Sequence, residues 1–199
     1  MTYYKTEKGM IEGFVDVIKR ADVDVIAGYN SSNFDIPYLL KRAEKVKTPF
    51  DITRYGEEAK SEHHGLIEAV KIPGRVNADI YNVTRFVAIV GASEKLLKIN
   101  RFTLGEVYKS IVGDEKRTVE KKNIWQLWDG STAELEELAE YSLSDSLALD
   151  KLYQFFMPLE IEIAKIAGTT LVEPSIWSFL LTPFSIAFLA AESSGDFAS

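Results

Sequence analysis

A short apolar strand that leads directly into a helix places the strongest limit on the fold of this chain. Residues 22–29 hold a compact apolar run bounded by Asp22 and Gly28, which predicts a buried strand. The spacing over residues 36–47 predicts a helix, in which Pro37 is tolerated because it lies in the first turn. Mixed strands and helices over this length predict an α/β or α+β layered domain.

A long helix is predicted towards the carboxyl end. Ser131 and Glu134 form a capping box, and leucines follow at helical intervals. We expect this helix to end near Phe156, because Pro158 interrupts it, and to resume over residues 159–167 before Gly168. The other predicted elements are a first helix ending near Arg20, a hairpin of residues 51–55 and 66–72, a strand within residues 76–90 that contains Asp79, and a helix over residues 103–112.

Composition excludes several classes of protein. With 199 residues, 46% hydrophobic and 27% charged, the chain has the size and make-up of one globular domain plus an extension. The absence of cysteine excludes disulfides, cysteine-bound zinc and thiol nucleophiles, and it fits a reducing, cytoplasmic compartment. Because the net charge is −7, contact with nucleic acid requires a local basic patch or metal ions held by carboxylates.

The segment of residues 174–191 contains no charged residue and approaches the lower length limit for a membrane span. Pro183 and several hydroxyl residues interrupt it, so we expect it to pack against protein and predict no membrane association.

The first candidate site is the junction of residues 29–35. Asp35 follows the end of the predicted strand and precedes the helix, which is where open α/β sheets usually bind ligands. The alternative is that Asp35 only caps a helix that begins near Pro37.

The second candidate site is the pair Tyr141 and Asp145 on the long helix. They lie four residues apart on a face that continues into an apolar stripe, where a carboxylate must be paired, hydrogen-bonded or metal-bound. The alternative is an aspartate bonded to a neighbouring side chain, with Tyr141 filling the core. If Asp35 and Asp145 converge, they offer the oxygen ligands that Mg²⁺ and Mn²⁺ prefer, and two such ions promote phosphodiester hydrolysis.

Two motifs then resemble a known family. Residues 28–39, GYNSSNFDIPYL, closely resemble the second exonuclease motif of archaeal family B DNA polymerases. Residues 141–145, YSLSD, resemble the third exonuclease motif of that family, Y-x-x-x-D. Residues 74–81 and 102–108 follow the same family pattern in the same order, so the resemblance covers roughly residues 10–168.

The resemblance implies an α/β, RNase H-like domain of the DEDDy exonuclease type over residues 1–168, followed by a lead-in to the polymerase palm and a tail over residues 169–199. It implies proofreading, in which two Mg²⁺ or Mn²⁺ ions promote removal of nucleotides from the single-stranded 3′ end of DNA. In that family Asp35 and Asp145 would be metal ligands, and Tyr141 would orient the attacking water. Asn30 and Phe34 would shape the pocket that receives the 3′ end.

The first exonuclease motif of that family, D-x-E, does not occur in these 199 residues. We therefore expect an interior part of a larger polymerase, without its amino-terminal strands. Asp35 and Asp145 supply two negative charges against the four positive charges of two ions, so we expect little or no nuclease activity from the isolated chain. The strand of residues 23–29 would expose an unpaired edge, and we expect self-association or pairing with a second polypeptide.

The rival hypothesis is a non-catalytic DNA-binding or structural module that keeps the outline of the fold. His63 and His64 are adjacent in a predicted polar loop, and we interpret them as surface residues rather than as metal ligands. Basic residues cluster in residues 41–47 and 116–122, where a solvated surface is favoured over contact with a DNA backbone.

Overall fold

The computed structural model describes residues 4–64, 67–90, 99–115, 124–168 and 171. These residues form a mixed α/β arrangement, so the coarse fold class predicted from the sequence is confirmed. The elements are α1 (Glu7–Ala21), β1 (Val25–Gly28), α2 (Asp35–Lys45), β2 (Lys60–His64), β3 (Ile67–Lys71), β4 (Val76–Asp79), α3 (Ile80–Val90), α4 (Leu104–Val112), α5 (Ile124–Trp128) and α6 (Thr132–Ala167).

The described strands pair in two small sheets. β1 pairs in parallel with β4, and β2 pairs with β3 in an antiparallel hairpin. The prediction that residues 51–55 form the first arm of this hairpin is wrong, since β2 supplies that arm. Asp51 instead accepts hydrogen bonds from the amide of Thr53 at 3.2 Å and from its hydroxyl at 2.8 Å. These local bonds compete with a strand ladder and hold the segment in an irregular conformation.

The strand predicted within residues 76–90 is confirmed, since β4 lies there and contains Asp79. β4 ends at Asp79, and the residues after it form α3, a helix that the sequence did not predict. The buried residues Ile80, Val83 and Thr84 recur at helical spacing, and the Thr84 hydroxyl donates to the carbonyl of Ile80 at 2.7 Å. A short apolar run is ambiguous between strand and helix by periodicity alone, which is why α3 was missed.

The long helix α6 is continuous where an interruption was predicted. It begins at the Ser131–Glu134 capping box and ends at Gly168, whose φ of 65° is left-handed, as expected from the sequence. Pro158 lies inside it without ending it. Residues on both sides of the proline, Met157 and Glu160, are buried. Burial of the apolar residues Leu152, Phe156 and Met157 before the proline opposes the roughly 3 kcal/mol that an interior proline costs.

Two hydrophobic clusters form the core. The larger one joins β4, α3 and α4 to α6, and residues of β1 pack against it. The smaller one joins α1 and α2 to the β2–β3 hairpin. α6 packs against β1, α3, α4 and α5, so it supports the parallel strand pair.

Two further predictions concern the membrane and the histidines. Among the helices of the described ranges, none is long and apolar enough to cross a membrane. The uncharged segment of residues 174–191 and the basic cluster of residues 116–122 lie outside the described residues.

His63 and His64 end strand β2, so their assignment to a loop is wrong.

Candidate active site

The carboxyl ends of β1 and β4 meet at one edge of the parallel pair. Gly28 lies opposite Asp79 in the strand register, so both strands end at the same level. The chain leaves β1 through the loop of residues 29–34 and leaves β4 directly into α3. This edge is where a ligand site was predicted.

Asp79 holds the loop after β1 in place. Its side chain is 6% exposed and accepts hydrogen bonds from the amides of Asn30 at 2.7 Å and Ser32 at 3.0 Å. It also accepts one from the amide of Tyr81, at 3.1 Å. Burial raises the pKa of Asp79, and the amide hydrogen bonds act in the opposite direction. The sequence placed Asp79 in a strand but did not reveal this anchoring role.

Gly28 and Asn30 give the loop its shape. A Cβ atom at Gly28 would lie 2.3 Å from the Cβ of Ser31, so no larger residue fits without rearrangement. Asn30 has a φ of 66°, in the left-handed region that asparagine tolerates. Its side-chain oxygen accepts a hydrogen bond from Nδ2 of Asn33 at 2.8 Å. Asn30 is therefore built into the turn, and its role towards a DNA end stays a prediction.

Asp35 is the first residue of α2, and Phe34 is its N-cap residue. The alternative in which Asp35 caps a helix that begins near Pro37 is therefore wrong, because the helix already includes Asp35. Asp35 is exposed, yet partial desolvation raises the pKa of its carboxyl, and a hydrogen bond with its own backbone acts in the opposite direction. Phe34 is 62% exposed and stacks on Tyr38. Both predicted residues, Phe34 and Asp35, are thus accessible from solvent.

Tyr141 and Asp145 lie one turn apart on α6 and contact each other. Their side chains are joined by a hydrogen bond, and both residues are half-buried. Burial raises the pKa of Tyr141, and the charge of Asp145 and this bond raise it further. Tyr141 is therefore a protonated hydroxyl at neutral pH that donates to the carboxylate. This contact is the alternative foreseen for Asp145, and Tyr141 is half-buried beside it. Their roles in metal and water binding stay predictions.

The same core supports both candidate positions. Ala148 and Leu152 follow Asp145 on α6 and are buried in the larger cluster. Tyr29, at the start of the loop after β1, packs against that cluster. The described contacts therefore attach both the Tyr141–Asp145 pair and the loop before Asp35 to one core. The distance between the two aspartates stays a prediction.

Asp35 and Asp145 would supply only some of the ligands that a two-ion metal site needs. Asp35 and Asp145 carry the oxygen donors that Mg²⁺ and Mn²⁺ prefer. Within the part of the chain that the structure describes, no group of three or more histidine, aspartate or glutamate side chains is placed to hold a metal ion. The described residues alone therefore do not fit a complete two-ion site.

Known proteins resemble the chain over most of its length. It is 35% identical over 170 residues to a DNA polymerase of Pyrococcus glycovorans, covering 85% of this chain and 21% of that protein. It is 36% identical over 163 residues to DNA polymerase 1 of Pyrococcus abyssi, covering 82% of this chain and 20% of that protein. The chain thus spans about a fifth of the length of these curated relatives.

Structural similarity agrees with the sequence similarity. The family B DNA polymerase from the hyperthermophilic archaeon Pyrobaculum calidifontis matches with a TM-score of 0.73 and 26% sequence identity, covering 88% of this chain and 22% of that chain. Residues 1–99 match the family described as DNA polymerase family B, exonuclease domain. The resemblance inferred from the two motifs is thereby confirmed, and the chain belongs to the family B DNA polymerases through their exonuclease domain.

Proposed function

We propose that this chain forms the 3′–5′ exonuclease, or proofreading, portion of a family B DNA polymerase, with an RNase H-like fold over residues 1–168. In this proposal, residues 169–199 lead into the polymerase palm. The substrate is the single-stranded 3′ end of DNA, and water hydrolyses its terminal phosphodiester bond. The match of residues 1–99 to the exonuclease domain of DNA polymerase family B is the observation that supports the proposal best.

Each candidate residue has a distinct role in this proposal. The Tyr141 hydroxyl donates to Asp145, and a phenolic oxygen can also accept a hydrogen bond, so we assign Tyr141 the orientation of the attacking water. Its raised pKa keeps the hydroxyl protonated at neutral pH, so Tyr141 positions the water rather than removing its proton. Asn30 and Phe34, on the loop after β1, shape the pocket for the terminal nucleotide.

Asp35 and Asp145 are the proposed ligands for Mg²⁺ or Mn²⁺, which would supply positive charge at the reacting phosphate. Two ions carry four positive charges, and these two carboxylates balance only half of them. The proposal therefore includes further anionic ligands from the rest of the polymerase or from a second polypeptide. It follows that the isolated chain has little or no nuclease activity.

Calorimetric titration with Mn²⁺, in the presence and absence of hydrolysis-resistant single-stranded DNA, tests the metal ligands. We expect Mn²⁺ binding that depends on DNA, because the phosphates add anionic ligands to an incomplete site. Asp35→Asn and Asp145→Asn should each abolish it. Asp150→Asn is the matched control, since Asp150 is exposed on the same helix and bonds only locally to Gln154 at 2.9 Å.

Two outcomes would count against parts of the proposal. Mn²⁺ binding that is equal in the wild type and in the Asp35 and Asp145 variants would favour the non-catalytic DNA-binding or structural module. Separately, an assay with end-labelled single-stranded DNA and Mn²⁺ tests the predicted inactivity. Robust 3′ digestion by the isolated chain that Asp145→Ala abolishes would show that the chain needs no further ligands.

A further inference from the structure

One exposed stripe of α2 combines two aromatic rings with two lysines. Phe34, Tyr38, Lys41 and Lys45 follow one another at intervals of four, three and four residues, so they lie along a single face of the helix. Phe34 is 62% exposed and Tyr38 is 51% exposed, and both lysines are exposed as well. The opposite face carries the buried residue Ala43 and packs against the core.

The rings of Phe34 and Tyr38 are exposed and lie parallel to each other. Their centroids lie 5.9 Å apart and their planes differ by only 8°, so they are stacked and offset rather than edge to face. They match what single-stranded nucleic acids require, because the π-face of any base can stack on such a ring.

The lysines continue the stripe towards the end of α2 that is remote from Asp35. The basic residues of the segment 41–47 do not all face the same way. Arg42 points to α1 and donates two hydrogen bonds to the carboxylate of Glu7. The hydrogen bond from Arg42 lowers the pKa of Glu7, and the charges of Arg42 and Lys45 lower it further, so the charge of Lys45 also acts on Glu7. Lys41 and Lys45 are both exposed like the rings. On a chain of net charge −7, this pair supplies the local positive charge that a phosphate backbone needs.

We propose that the stripe Phe34–Tyr38–Lys41–Lys45 is a track for single-stranded DNA, with Tyr38 as a second base-stacking residue and the two lysines contacting phosphates. This inference rests on the proposed function, which places the DNA end at Asp35, between the two aromatic positions. It extends that site by three turns of helix. Tyr38 is therefore a substrate-positioning residue, and it has no role in the chemistry.

Fluorescence anisotropy with a labelled oligo-dT strand of about 12 nucleotides, in EDTA, tests the track without any metal. Tyr38→Ala should weaken binding by about 5- to 150-fold, since one stacked base contributes roughly 1–3 kcal/mol. Tyr38→Phe keeps the ring and should bind like the wild type. Tyr55→Ala is the matched control, because Tyr55 is 72% exposed but lies outside α2.

The salt dependence of the same binding tests the lysines. The double variant Lys41→Gln/Lys45→Gln should reduce the slope of log affinity against log salt concentration by about 1.4, or roughly 0.7 for each contact with a single strand. Lys8→Gln/Lys165→Gln removes two exposed lysines from other helices and should leave the slope unchanged.

The proposal is overturned if the wild-type chain does not bind the strand, or if Tyr38→Ala binds as Tyr38→Phe does. It is also overturned if both double variants change the salt slope equally. These measurements contain no metal, so they are independent of the Mn²⁺ titrations of the Asp35 and Asp145 variants. If the proposed metal ligands are wrong and the DNA track is right, the Mn²⁺ titrations will fail while the DNA-binding measurements succeed.

Discussion

The buried carboxyl of Glu160 on α6 makes the stability of this chain depend on pH. The residue is only 1% exposed, and its Oε1 atom has no hydrogen-bond partner among the described residues. Burial raises the pKa of Glu160 from its ordinary value of 4.5 to about 7. The folded state therefore holds a proton on Glu160 at pH values where the unfolded chain has already lost it.

The magnitude follows from the difference between the two pKa values of Glu160. The folded value of about 7 exceeds the unfolded value of 4.5 by about 2.5 units, which corresponds to about 3 kcal/mol at 1.36 kcal/mol per unit. Because the folded pKa is raised, this stability is fully present below pH 4.5 and is lost as the pH rises through about 7. Above that range, the folded chain carries a buried charge.

Glu160→Gln removes the titration while keeping the shape of the side chain. We expect the variant to match the wild type at about pH 4 and to be more stable by about 3 kcal/mol at about pH 8. Urea unfolding followed by circular dichroism at several pH values measures the difference. Other titrating groups contribute equally to both proteins, so they cancel in the comparison.

Glu162→Gln is the matched control for this experiment. Glu162 lies on the same helix, its side chain is 63% exposed, and it pairs with Lys165 at 2.7 Å. Its substitution removes an exposed ion pair and should change stability little. A Glu160→Gln variant whose stability differs from that of the wild type by the same amount at pH 4 and pH 8 would refute the reasoning.

Three further predictions concern the strands beside the candidate site. Asp79→Ala leaves three backbone amides without their acceptor, so we expect the free energy of unfolding to fall by about 3 kcal/mol or more. Asp79→Asn should show a smaller loss, and urea unfolding measures both. Gly28→Ala places a Cβ against Ser31 and should cost roughly 1–3 kcal/mol in the free energy of unfolding. β1 pairs only with β4 among the described strands, so we expect concentration-dependent self-association, and a strictly monomeric species in light scattering at high concentration would contradict it.

Local signals in the sequence were sufficient for the helix ends. The capping box at Ser131 and the terminal Gly168 each act within a few residues, and α6 begins and ends where these signals predicted. The errors arose where distant packing decides the outcome. Pro158 remains inside a helix whose preceding residues, Phe156 and Met157, are buried in the core, and Asp51 of the irregular segment 51–55 pairs with Lys19 of α1.

The candidate site also combines features that local sequence signals predict with contacts between distant residues that they do not predict. Asp35, Tyr141 and Asp145 were identified from motifs, and spacing alone predicted that the last two share a helix face. The anchor of the site escaped detection, because Asp79 acts on Asn30 and Ser32 from a strand nearly fifty residues away along the chain. Only the parallel register that sets Gly28 opposite Asp79 brings them together. A pattern search within one segment contains no information about such a contact.

This anchoring has a consequence for how Asp35 can act on a ligand. The loop before Asp35 is held by a buried carboxylate that already accepts amide hydrogen bonds, and by a glycine that admits no side chain. The direction of α2 is therefore set before any ligand binds, and little conformational entropy remains to be lost in positioning Asp35 and the rings of Phe34 and Tyr38. Loosening the loop at Asp79 should accordingly weaken DNA binding even though Asp79 is buried and touches no DNA. An Asp79→Asn variant that binds oligo-dT with unchanged affinity, while unfolding at lower urea concentration, would show that the loop is not what orients the track.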